Sequence, residues 1–101
     1  MAITITVEKD NEKAVLKLDG RLDTVTAPSL EAEIDALGDN VKDLVLDMTK
    51  LEYISSAGLR VLLTAQKRFG KIGSMKLTGV CDQVMEVLEM TGFADILVIE
   101  D

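Results

Sequence analysis

The spacing of apolar residues along this chain switches between two positions and roughly 3.6, and that alternation narrows the fold more than any other feature. Ile3, Ile5 and Val7 alternate with Thr4, Thr6 and Glu8, the period of a strand with one buried face. Asp10-Asn11 supplies a turn. Ala14, Leu16 and Leu18 alternate again, so the first two strands form an antiparallel hairpin that Asp19-Gly20 ends. From Thr26 the period is helical: Ala27, Leu30, Ile34 and Leu37 share a face, Thr26 serves as N-cap, Pro28 is tolerated in the first turn and Gly38 is the stop. Leu44-Val45-Leu46 is a short continuous apolar run, as in a central strand covered on both faces. A second helix runs from about Ser56 to Phe69, with Leu59, Leu62, Leu63 and Phe69 on one face and Gly70 closing it. Met75 to Val80 reads as a strand, Val84, Val87 and Leu88 as the apolar face of a third helix ending near Gly92, and Ile96 to Ile99 as a last short strand.

The order β-β-α-β-α-β-α-β with such short connections calls for parallel pairing and right-handed crossovers. The expected architecture is α/β: a small mixed sheet of four to five strands, an N-terminal antiparallel hairpin followed by parallel βα units, covered by three to four helices. With 101 residues, the expectation is one domain over 1–101 that buries roughly two thirds of its unfolded surface. Functional groups in such sheets gather beyond the carboxyl ends of the strands. Here that edge comprises residues 19–26, 47–56 and 79–82.

Charge and composition exclude several functions. Lys plus Arg is 11 and Asp plus Glu is 18, a net charge of 11 − 18 = −7. A polyanion gains nothing from counterion release on nucleic acid and is repelled by acidic membranes, and aromatics at 3% offer no stacking platform. There is no His, so relays and metal sites built on imidazole are ruled out, and no metal, cofactor or enzymatic activity is expected. The single thiol, Cys81, suits a reducing compartment. The N-terminal residues lack a signal-peptide layout, and the longest apolar run is the four residues Ile96 to Ile99, so the expected location is cytoplasmic.

The segment Tyr53-Ile54-Ser55-Ser56-Ala57-Gly58-Leu59-Arg60 lies between a buried strand and an amphipathic helix. Amides in a first helical turn lack intrahelical acceptors and sit at the positive end of the dipole, so a phosphoryl group on Ser56 would meet waiting donors. Gly58, without a Cβ, permits close approach of another backbone or of a partner. By themselves, Ser55 or Ser56 read rather as a plain N-cap and Gly58 as a packing residue, since so short a motif matches by chance.

Three blocks in order decide between these readings: Leu18-Asp19-Gly20-Arg21-Leu22-Asp23-Thr24, Leu46-Asp47-Met48-Thr49-Lys50-Leu51, and Tyr53-Ile54-Ser55-Ser56-Ala57-Gly58-Leu59. With them, almost the whole chain resembles the STAS family of bacterial anti-sigma factor antagonists and sulfate-transporter tails. The resemblance implies a regulatory binding protein whose unphosphorylated form binds an anti-sigma factor, itself a serine kinase, and so releases a sigma factor. It places the phosphorylated serine at Ser56 and the partner surface at Asp23, Thr24, Ser55, Ser56, Ala57 and Gly58. It also implies a PP2C-type phosphatase as second partner and a monomer or weak dimer. The alternative within the family is a scaffold subunit of a lipid or anion transport system, without phosphorylation.

This chain departs from the sporulation-type pattern at Ser55, where those relatives carry Asp; a local negative charge is missing and Ser55 becomes a second candidate acceptor. The remaining candidates read as structural. Asp47 caps a turn through Thr49, Cys81 is a small buried hydrophobe rather than an activated thiol, and Met85, Val87, Leu88 and Met90 form a core stripe. Glu31, Glu33 and Asp35 are a solvated helix face, and Lys67 and Arg68 complement the dipole of the second helix.

Overall fold

A computed structural model describes residues 3–100; Met1, Ala2 and Asp101, counted above within the single domain, lie outside the described residues. The elements are β1 (Ile3–Asp10), β2 (Lys13–Leu22), α1 (Ala27–Asp35), β3 (Asp43–Ile54), α2 (Ser56–Ile72), β4 (Ser74–Thr78), α3 (Asp82–Met90), a 3-10 turn at Phe93–Asp95, and β5 (Ile99–Glu100). The sheet has five strands in the order β1-β2-β3-β4-β5, with β1 and β2 antiparallel and every other pair parallel.

Because each crossover moves one strand in the same direction, right-handed connections put α1, α2 and α3 on one face of the sheet. Ala14, Leu16 and Leu18 of β2, Leu44, Leu46 and Met48 of β3, and Met75 and Leu77 of β4 are buried under them. The alternate positions, among them Lys17, Asp47 and Lys76, point to the other face, which no helix covers. The helices therefore cover one side of the sheet, not both. Val45, on the bare side in the central strand, is shielded by its neighbours and only 8% exposed.

Several boundaries differ from those read in the sequence. Asp19-Gly20 does not end β2, since Gly20 takes φ +124°, a value open to glycine, and the strand continues to Leu22 with shifted register. β3 is likewise 12 residues long rather than a short run. Two irregularities against β2, where Lys17 pairs with Asp47 but Asp19 with Lys50, and Gly20 with Leu51 but Arg21 with Tyr53, each insert one residue into β3. They keep Met48, Leu51 and Ile54 in the core at a spacing of three, which disguises the strand.

α2 passes through Gly70 to Ile72, and Gly73 caps it by donating its N–H to Phe69 O at 2.8 Å. The apolar run at Ile96 divides: Leu97 turns inward, bonded to Phe93 O, and only Ile99 and Glu100 pair as a strand. Along α3, Leu88 is buried and Met85 and Val87 half-buried, but Met90 is 78% exposed at the last turn and does not belong to the core. Cys81 is half-buried, with its thiol against Leu51 O at 3.4 Å. Arg68 serves a different helix from the one expected: its guanidinium donates to Ile34 O and Gly38 O at 3.3 and 3.0 Å, satisfying carbonyls at the end of α1.

Candidate functional site

Ser55 is the N-cap of α2. Its backbone is extended (φ −101°, ψ 175°), its carbonyl accepts the Leu59 N–H at 2.9 Å, and its hydroxyl accepts the Gly58 N–H at 3.4 Å. Ser56 is the first helical residue, is exposed, and takes no part in that cap. The two serines flagged by the sequence thus divide the work: Ser55 holds the helix terminus and Ser56 presents a free hydroxyl on it. The Ser56 and Ala57 amides belong to the first turn, where no intrahelical acceptor exists.

The same terminus is pinned to the hairpin. Ser55 donates its N–H to Leu22 O at 2.8 Å, and Leu22 pairs with Ile54 across the parallel strands. This brings the loop after β2 to the start of α2. A Cβ on Gly58 would stand 2.8 Å from Leu22 Cγ and 2.9 Å from Ile54 Cγ1, so hydrogen at that position lets the first turn settle onto both strand ends. Gly58 is buried, so it shapes this end of α2 through its placement.

Thr26 is the N-cap residue of α1, as expected, its carbonyl accepting the Ser29 N–H at 2.9 Å, but the loop before it is braced by side chains of its own. Thr26 has helical backbone angles and makes no side-chain cap bond for α1. Asp23 does the capping, because its Oδ1 accepts the N–H groups of Val25 and Thr26, both at 3.0 Å. In return the buried Thr26 hydroxyl accepts the Asp23 N–H at 2.9 Å and donates its proton to Arg21 O at 2.7 Å. The arrangement fixes Thr24 and Val25 outward, Val25 being 76% exposed. Thr24 and Pro28 face Ala57, Arg60, Val61 and Thr64 across a shallow groove of about 210 Å³ between α1 and α2.

Asp47 lies apart from this site. Its Oδ1 accepts the Thr49 hydroxyl at 2.6 Å and the Thr49 N–H at 3.0 Å, the partner expected from the sequence, but at an irregularity within β3 and not at a turn. It borders a wider hollow of about 310 Å³ on the bare face, where Lys17 and Lys50 are offset by Asp19 and Asp47. Among the described residues no group of three acidic or thiol side chains could hold a metal.

Both capping carboxylates are held below the usual aspartate range, Asp23 chiefly by the Thr26 N–H and Asp47 chiefly by the Thr49 hydroxyl. A depressed folded-state pKa adds stability above the unfolded value of about 3.9, and that stability disappears as the pH falls through the folded-state value. We therefore expect the urea midpoint to drop from about pH 4 downward, and an Asp23→Asn/Asp47→Asn variant to show a flatter acid limb in urea titrations followed by circular dichroism.

Reading the sequence singled out neither Val25, Arg60 nor the Arg21–Tyr53 stack, where the guanidinium lies 4.2 Å from the ring centroid at the strand ends beside the site. Arg60 carried a usable signal, since it falls one helical turn after Ser56. Val25 carried none, because its exposure follows from the bonds of Asp23.

Known proteins resemble this chain in sequence and in fold. BtrV of Bordetella bronchiseptica is 37% identical over 94 residues, which cover 91% of this chain and 81% of BtrV. The anti-sigma-F factor antagonist RsfB of Mycobacterium tuberculosis is 37% identical over 71 residues, 69% of this chain and 58% of RsfB. The crystal structure of an anti-sigma factor antagonist from Mycobacterium paratuberculosis superposes with a TM-score of 0.86 at 28% identity, covering 96% of this chain and 84% of that one. No helix among the described residues is long and apolar enough to cross a membrane. With the STAS domain model matching residues 4–101, the chain belongs to the STAS domain family.

Proposed function

We propose that this protein is a cytoplasmic anti-sigma factor antagonist: unmodified, it binds an anti-sigma factor that is a serine kinase and so frees a sigma factor, and phosphorylation of Ser56 ends the binding. The observation that carries this reading is the exposed Ser56 hydroxyl on the first turn of α2, beside the self-capped Asp23–Thr26 loop. RsfB, bearing the name of an anti-sigma-F factor antagonist, supports the choice of partner class.

The γ-phosphoryl group of ATP passes to Ser56 Oγ, whose proton leaves, and ADP departs. A PP2C-type phosphatase reverses the step with water, releasing inorganic phosphate. Ser55 is the poorer acceptor because its oxygen already receives the Gly58 N–H. Phosphate brings about −1.5 to −2 charges and three acceptor oxygens, which the first-turn amides take up without unfolding the helix. At an interface the same charge must be desolvated, and a penalty of about 2.8 kcal/mol lowers affinity roughly a hundredfold. The chain needs no catalytic group of its own.

The test is incubation with the cognate anti-sigma kinase and ATP, followed by peptide mass spectrometry. We expect one phosphate, on Ser56, absent from a Ser56→Ala variant. Binding to the anti-sigma factor with neither serine ever modified would favour a scaffold of the same fold.

A further inference from the structure

Charge on the three helices is segregated. α2 carries Arg60, Lys67, Arg68 and Lys71 and no acidic residue. α1 carries Glu31, Glu33 and Asp35 and no basic residue, and α3 carries Asp82, Glu86 and Glu89 and no basic residue. In a chain of net charge −7, a helix free of carboxylates is the anomaly. Arg68 is engaged at the end of α1. Arg60, Lys67 and Lys71 are exposed, and the ion pairs among the described residues use Lys17, Arg68 and Lys76 instead.

At roughly 100° per residue, Ser56, Lys67, Arg60 and Lys71 fall within an arc of about 60° on the side of α2 opposite its buried residues. They form one ridge about 22 Å long that starts at Ser56. Lys67 and Lys71, four apart, repel each other along it, and among the described residues neither is in an ion pair. Acidic α1 packs along one flank, so the ridge is a narrow basic strip on an acidic molecule.

We propose that the ridge Arg60–Lys67–Lys71 is the face on which an acidic surface of the anti-sigma factor docks, a step that rests on the function proposed above. Charge complementarity selects this occupant. A protein surface can match a strip one helix wide, whereas a flat anionic bilayer or a nucleic-acid duplex would also meet the carboxylates of α1. The arrangement explains the sign of the switch. A phosphate on Ser56 enters at the head of the ridge, pairs with Arg60 one turn on, and faces the partner's own carboxylates.

The experiment measures binding of the unmodified full chain to each purified anti-sigma factor of the source bacterium, by calorimetry at low and high salt. The unsubstituted chain should bind with an affinity that falls as salt rises. A Lys67→Glu/Lys71→Glu variant should bind on the order of a hundredfold more weakly and lose most of that salt dependence. Circular dichroism checks its helix content, and should it unfold, Lys67→Gln/Lys71→Gln takes its place with a loss of about tenfold. Equal binding by a folded variant overturns the ridge and leaves the antagonist reading intact. Failure of the unsubstituted chain to bind any anti-sigma factor overturns both. Sedimentation with phosphatidylglycerol vesicles, or retention on duplex DNA, that the double substitution abolishes would also overturn the proposal.

Discussion

Ser56→Asp should lower affinity for the anti-sigma factor by between about tenfold and a hundredfold while leaving the fold intact or slightly more stable. The two effects have opposite signs for one physical reason. In the free protein a carboxylate on the first residue of α2 sits among donors without acceptors and at the positive end of the dipole, which stabilises it by about 0.3–1 kcal/mol. In the complex that charge must lose its water. Ser56→Ala should bind like the unsubstituted chain and resist the kinase. Calorimetric titration gives the affinities, and thermal melts of the free variants separate lost binding from lost structure. Equal affinity for Ser56→Asp and the unsubstituted chain would remove the switch.

Gly73→Ala should be the most damaging of the single substitutions considered, although Gly73 lies far from Ser56. The Lys42 carbonyl passes directly over Gly73, accepting the Ser74 N–H at 3.0 Å, while the Lys42 N–H is held by Glu12 O at 2.7 Å. A Cβ on Gly73 would overlap that carbonyl. The position of a Cβ is fixed by the main chain and the atoms it meets are backbone, so no rotamer relieves the contact and the hydrogen bond joining the start of β4 to the loop before β3 must break. A cost of roughly 3 kcal/mol or more is expected, a large part of the stability of a domain this size. The melting temperature should fall by about 12 °C or more. The neighbouring glycine is the internal control. Gly70 is helical and exposed, with Gln66 Nε2 at 3.2 Å the nearest obstacle to a Cβ, so Gly70→Ala should be neutral or stabilise by up to about 1 kcal/mol. Thermal unfolding followed at 222 nm distinguishes the two.

That pair of glycines shows where the sequence was legible. Apolar period, with the continuous run at Leu44 to Leu46, located the five strands and three α-helices among the described residues but not the 3-10 turn at Phe93–Asp95, since amphipathic segments such as Leu59 to Phe69 must turn one side to the core. Gly70 comes where the apolar face runs out, so it reads as a stop. The actual stop is set by Lys42, which is distant in sequence and invisible to local pattern. The second half of β3 escaped for a related reason, because inserted residues turned an alternating strand into a spacing of three. At the site, the serines stood out by their place at the start of a helix, whereas Asp23 was pointed to by the family resemblance. Their division of labour was not readable, since it depends on which hydroxyl accepts the Gly58 N–H and on the exchange of bonds between Asp23 and Thr26. The basic ridge escaped too: of its residues only Lys67 drew notice, as a complement to the helix dipole, and the charge contrast emerges only when three helices are compared side by side.

One-sided packing of the helices has a practical consequence. The uncovered pleated surface offers attachment points, Thr6 and Lys17 among them, whose side chains point away from everything that surrounds Ser56. A fluorophore or a tether to a sensor chip fixed there would leave the helical half of the molecule, with Ser56, facing solvent, so association and release by the proposed partner could be timed on immobilised protein without the anchor entering the reaction.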